Sequence, residues 1–307
     1  MRHILIDTDT GSDDAVALVM ALNNSKISIE AITVVAGNIP VEQGLQNALY
    51  TVELCNKKIP VYLGEGKPLK RALRTSEFFH GQDGLGDIGL DLKGRKATEG
   101  NAIDIIIEKV YQLGNRLEIV ALGPLTNLAI AIKRDPRIIS KIKNCFIMGG
   151  TAFGPGNITP FSEFNFWVDP EAADIVLQSG MKITMIDWDA TKKYAWFDSK
   201  TIKSINNINT PLSKFSMDIQ NNPKKYKKKK YGNETIELAD PLAMAIALDP
   251  SIVMESKKYN VKINLSNEEH RGENILNEKD EKNTTIILKA SRKKFLDIFK
   301  KSLTWKY

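Results

Sequence analysis

Histidine and cysteine are scarce in this chain: three of the first and two of the second among 307 residues. Two cysteines, Cys55 and Cys145, exclude a disulfide framework, and each reads as a small buried hydrophobe. Three imidazoles, at His3, His80 and His270, leave few candidates for acid–base work by histidine. Long apolar runs are also absent. No stretch approaches the ~18 residues of a membrane span, and the opening MRHILIDTD turns acidic before a signal-peptide core can form. No membrane partner is expected, and a cytoplasmic location follows most simply.

An excess of charge is missing too, outside one place. The net charge is +6, but PKKYKKKKYG (223–232) holds six lysines. Without them the chain has 37 basic residues against 37 acidic ones. A run of this kind reads as a solvated, mobile loop, so nucleic acid is not expected as a partner. A hydrophobic content of 42% and a charged content of 26% are those of an ordinary globular protein. No linker or internal repeat divides the chain, which is expected to form one domain over 1–307.

What is present is a regular alternation. Strand-like runs at 3–8, 27–37, 60–64, 117–123, 145–150 and 182–191 alternate with helical stretches at 13–24, 41–57, 101–115, 124–134 and 169–180. Continuous apolar strands separated by helices predict an α/β fold, with an open, mostly parallel central sheet covered by helices on both faces. From about 250 onward, SIVMESKKYNVKINL and NTTIILKA lack intervening helices and read as extra C-terminal strands, before a closing helix FLDIFKKSLTWKY. In such sheets ligands bind beyond the carboxyl ends of strands. The turn after 3–8, AGN (36–38), ALGP (121–124) and MGGTAFGPGN (148–157) all lie there.

The first of these turns carries Asp7, Asp9, Asp13 and Asp14. Helix capping accounts for one or two polar residues at a helix start, Ser12 and Asp13 for example, but not for four aspartates. Part-buried carboxylates at a strand end need protons or a counter-charge, and oxygen-rich clusters suit a hard divalent cation. Two other readings are weaker. Asp7-Thr8-Asp9 matches the start of a haloacid dehalogenase-type phosphatase, but Thr10-Gly11 reverses the required Gly-Thr order. The stretch from Gly84 to Gly89 matches G-x-G-x-x-G without a preceding strand, so it lacks the context for dinucleotide binding.

DTDTGSDDAVAL (7–18) resembles the N-terminal signature of the inosine–uridine type nucleoside hydrolases, with Thr10 where the family has Pro. VVAGN (34–38), HGQDGLGD (80–87), ALGPLTNLA (121–129), MGG (148–150), GNITPFSEFNFWVDPEAA (156–173) and ADPLAMA (239–245) follow in family order. The resemblance implies a Rossmann-like nucleoside hydrolase fold and Ca²⁺-dependent hydrolysis of the N-glycosidic bond of ribonucleosides. Asp9, Asp14, Asp240 and the Leu122 carbonyl would hold the ion, and Asp9 would be the general base. Asp13, Asn38, His80, Met148, Asn157, Glu163 and Asn165 would bind substrate, with Asn157 and Glu163 on the 5′-hydroxyl. A role in nucleoside salvage and a homodimer or homotetramer are implied as well. Asp169 and Asp240 both precede proline, as helix caps do; capping is the preferred role for Asp169, ligation for Asp240.

The sequence departs from that pattern at Ala239. The family's commonest group has His there, as acid to the leaving base. A nucleoside-binding relative with little turnover is therefore one alternative, and a metal-dependent phosphatase a more distant one. His3 begins a strand, and His270 lies in a polar segment. Trp167, Trp188, Trp196, Phe153 and Phe164 are candidates to stack on the base. Tyr226 or Tyr231, in the lysine-rich segment, are candidates to close over it.

Overall fold

The computed structural model describes residues 1–232 and 235–304. Eleven strands are found among them: β1 (Arg2–Thr8), β2 (Ile27–Val34), β3 (Val61–Leu63), β4 (Leu117–Ala121), β5 (Asn144–Met148), β6 (Ile183–Ile186), β7 (Trp196–Phe197), β8 (Ile236–Glu237), β9 (Val253–Ile263), β10 (Asn274–Asn277) and β11 (Thr284–Ala290). Nine form one sheet in the order β10-β9-β11-β6-β5-β4-β1-β2-β3, and β7 pairs with β8 alone. From β3 to β11 the pairing is parallel; β9 and β10 are added antiparallel at one edge. The expected α/β architecture with added C-terminal strands is the one observed.

Side-chain alternation along the central strands divides the interior in two. Ile4 and Ile6 of β1 point to one face, with Val120, Phe146 and Ile186, against helices Ser12–Leu22 and Ala239–Leu248. Leu5 points to the other, with Ile119, Ile147 and Met185, against helices Ala102–Leu113, Thr126–Arg134 and Pro170–Leu177. Both faces of the sheet are therefore dry. This is why its strands are apolar throughout rather than alternating with polar residues. Both cysteines are buried and unpaired; burial pushes the Cys55 thiol up to about 12 and that of Cys145 up as well.

Several expectations change at the level of elements. The strand expected over 182–191 stops at Ile186. Asp187 then accepts the Ala190 N–H at 2.9 Å and caps a helix, Trp188–Tyr194. The lysine run expected as a loop is helix Asn221–Tyr231, ended by Gly232 at φ +69°. Lysine is a good helix former, and Lys227 and Lys230 find partners in Glu237 and Tyr226, which relieves part of the like-charge repulsion. The closing helix spans Arg292–Ser302; positions 305–307 lie outside the described residues. Strand β10 and helices Ser199–Asn206 and Pro211–Asp218 have no counterpart in the sequence reading. Among the described residues, no helix is long and apolar enough to cross a membrane.

Candidate active site

Strand order reverses direction at one point. From β1 the chain runs outward through β2 and β3, then returns to β4 on β1's other side and proceeds through β5 and β6. The crevice of such a sheet opens beyond the carboxyl ends of β1 and β4. Asp9 follows β1 and Leu122 follows β4, so the acidic turn sits in the crevice by topology. Asp9 is fully buried, and its Oδ2 accepts the Asn38 N–H at 2.6 Å. The carboxylate fits there because two neighbours lack side chains. A Cβ on Gly37 would lie 2.2 Å from Asp9 Oδ2, and one on Gly123 would lie 2.8 Å from Oδ1.

Asp14, on the first turn of helix Ser12–Leu22, is held by three donors: Thr8 Oγ1 at 2.6 Å, the Gly11 N–H at 3.0 Å and Asn38 Nδ2 at 3.1 Å. The backbone at Thr10, in the family's proline position, takes φ +28° and donates its N–H to Thr8 Oγ1, neither of which proline allows. Asp240 reaches the same place from helix Ala239–Leu248, and its side chain is not a helix cap; Asp169 is one, accepting the Ala172 N–H at 3.1 Å.

One oxygen each of Asp13, Asp14 and Asp240 lies within 4.8 Å of the others. The Asp14 carboxyl is also within hydrogen-bonding reach of Asp9. Burial, then the Asp14 charge, pushes Asp13 up to about 7 and Asp9 well above the carboxylate range; burial, then Asp13, raises Asp240 likewise. Asp9 Oδ1 and Asp13 Oδ1 are buried without hydrogen-bond partners. An all-oxygen cluster with unsatisfied oxygens and mutual repulsion fits a hard divalent cation. Asp7 stands apart from it. Its Oδ1 accepts from Thr33 Oγ1 at 2.5 Å and Asn127 Nδ2 at 2.8 Å, tying β1 to β2 and to helix Thr126–Arg134.

Above the acids lies a cavity of about 410 Å³, large enough for a nucleoside-sized ligand. Asp13, Asn38, His80, Leu122, Met148, Asn157, Glu163, Asn165 and Asp240 all line it, while Asp9 and Asp14 lie beneath. Asn165 Nδ2 donates to the Leu122 carbonyl at 2.7 Å and the Met148 carbonyl at 3.1 Å. Asn157 Oδ1 accepts the Phe164 N–H at 2.9 Å. Glu163 is buried and well partnered. It caps helix Phe164–Val168, accepting backbone N–H groups of Gly150 at 2.8 Å and Asn165 at 2.9 Å, yet burial still pushes it up to about 7. His80 Nδ1 accepts the Ser12 N–H at 3.2 Å, so a neutral ring carries its proton on Nε2; burial pushes its pKa down to about 4.

His3 pairs with Glu30, and His270 with Glu273. Of the aromatic candidates, Trp188, Phe164, Tyr226 and Tyr231 line the cavity. Trp167 and Trp196 instead lie under the guanidinium groups of Arg271 and Arg292, at 3.8 and 3.7 Å from the ring centroids, and Phe153 packs on Tyr259. Phe78, Phe79 and Glu237, which the sequence reading does not single out, also line the cavity, as do Lys227 and Lys230 of the run expected to be a solvated loop. Phe78 and Phe79 directly precede HGQDGLGD, an adjacency that was readable. The Lys227–Glu237 pair depends on a tertiary contact and was not.

Comparison with known proteins agrees with this geometry. Residues 4–297 match the sequence profile of the inosine-uridine preferring nucleoside hydrolases. Uridine nucleosidase 1 of Arabidopsis thaliana is 36% identical over 258 residues, 83% of this chain and 76% of that protein. A pyrimidine-specific ribonucleoside hydrolase of Shewanella sp. (strain ANA-3) is 34% identical, covering 98% of this chain and 96% of its own. The structure of a purine-preferring ribonucleoside hydrolase from Gardnerella vaginalis superposes with a TM-score of 0.91 at 31% identity, covering 99% of this chain and 98% of that one. The chain belongs to the nucleoside hydrolase family, whose members cleave N-glycosidic bonds.

Proposed function

We propose that this protein hydrolyses the N-glycosidic bond of ribonucleosides with Ca²⁺ as its resident ion, releasing ribose and free base. The convergence of Asp9, Asp13, Asp14 and Asp240 on one cavity carries the reading. Asp9, Asp14, Asp240 and the Leu122 carbonyl would hold the ion. When bound, the ion acidifies a water and anchors vicinal hydroxyls. Asp9, with an oxygen free of other partners, takes a proton from the attacking water. Asp13 and Asn165 hold ribose hydroxyls, with Asn38 and Met148 beside them, and His80 contributes its Nε2–H to the substrate. Asn157 and Glu163 take the 5′-hydroxyl. The crowded carboxylates favour positive charge developing on the sugar, as in other glycoside cleavage. A cytoplasmic, homodimeric or homotetrameric enzyme of nucleoside salvage accords with this reading.

The test is ribose release, followed as reducing sugar, from uridine, cytidine, inosine, guanosine and adenosine. Release from at least one, abolished by chelation and restored by Ca²⁺, is expected. Absence of release from all five, with nucleoside binding retained, would instead favour the weakly catalytic alternative that Ala239 raises.

A further inference from the structure

Ala239 lines the cavity, and a methyl group cannot assist a departing base. Among the described residues the cavity has one histidine, His80, whose Nδ1 is occupied by Ser12. A neutral imidazole is a weak acid, so another donor is needed. Lys227 and Glu237 form an ion pair on the cavity wall, and Glu237 precedes Ala239 by two positions. Their side chains are only 12% and 16% exposed. The Glu237 side chain beside it fixes where the Lys227 amine sits on the wall.

We propose that Lys227, oriented by Glu237, donates the proton to the leaving base. The inference rests on the ribonucleoside hydrolase reading. As the bond between C1′ and the base nitrogen breaks, its electron pair passes to the base, which takes a proton from the Lys227 ammonium. Water adds to C1′ and gives its proton to Asp9; that proton returns to solvent while Lys227 regains one. Of the lysines lining the cavity among the described residues, Lys227 is the one paired with a carboxylate two positions from Ala239. Lys230 donates to the Tyr226 hydroxyl at 3.0 Å, and Lys192 to Asp189 and to the Pro155 carbonyl. Among the described residues the partner found for the Lys227 ammonium is Glu237, and an ammonium carries three hydrogens.

The experiment compares nucleosides with 4-nitrophenyl β-riboside, whose leaving group departs without protonation. Lys227→Met should lower kcat/KM on nucleosides by about 10²- to 10⁴-fold, the usual contribution of a positioned acid. On the nitrophenyl riboside it should change kcat/KM less than about threefold, which also shows that the variant folds. Glu237→Gln, acting on the position of Lys227, should show a smaller loss with the same selectivity for nucleosides. Equal losses on both substrates, or no loss on nucleosides while Tyr226→Phe loses activity, would overturn the assignment. Wild-type cleavage of the nitrophenyl riboside but of no nucleoside would overturn it and leave the hydrolase reading intact; cleavage of neither would overturn both.

Discussion

Gly37 lies against Asp9 so closely that a single added methyl group would sit 2.2 Å from Asp9 Oδ2. The same position lies 2.7 Å from Pro124 Cδ, which limits any shift away from the carboxylate. Gly37→Ala must therefore displace the carboxylate. It should lower kcat/KM at least about 100-fold, since small misplacements of reacting groups cost that much. It should also weaken Ca²⁺ binding in calorimetric titration. Unchanged activity would mean that Asp9 is not the base.

Asp9→Asn separates chemistry from folding. The amide is nearly isosteric and can keep the Asn38 contact through its oxygen, but it cannot accept a proton from water. Turnover should fall by about 10²- to 10⁴-fold with little change in thermal unfolding of the cation-free protein. Full activity of this variant would remove Asp9 from the mechanism.

Chelation should destabilise as well as inactivate. An ion that binds only the native state adds about 2.7 kcal/mol when its concentration is 100 times Kd. In a chain of this size that corresponds to several degrees in Tm. Differential scanning fluorimetry with EDTA against Ca²⁺ should show the shift, and Asp240→Asn should reduce it. Identical melting curves for wild type in both conditions would argue against a structural cation.

Asp187 offers a pH test away from the cluster. It is buried and caps helix Trp188–Tyr194, and its pKa is raised from 3.8 to about 7, first by burial. The native state then keeps a proton that the unfolded chain releases. This contribution to stability is complete below about pH 4 and is lost as pH rises toward 7. Ca²⁺-saturated protein should lose roughly 1–3 kcal/mol across that window by urea unfolding. Asp187→Asn, which still caps, should flatten the dependence; an unchanged slope would exclude Asp187 as its source.

The parallel sheet was readable because both faces are dry. Runs such as HILID and LEIVAL leave no other fold for their periodicity, and the switch point then places the acidic turn in the crevice. The motif stretches likewise named residues that meet at the cavity, from Asn38 to Asp240. The lysine helix is not legible because six lysines in seven positions look solvated, while Glu237 and the Tyr226 hydroxyl that hold two of them arrive from tertiary and helical contacts. Trp167 and Trp196 carry no sequence mark distinguishing a ring under arginine from a ring facing a ligand. The partners of Glu163 are backbone amides, which sequence composition does not advertise.

Asp9 stands near the first strand, whereas Asp240 stands on a helix that follows six strands of the main sheet. During synthesis on the ribosome, the first four aspartates emerge long before the carboxylate opposite them. Until then the donors on residues 8–127 can hold them, but the pocket lacks its far wall. Cation capture is thus tied to completion of the fold, and a protein truncated before residue 240 would be denied both its ion and its chemistry together.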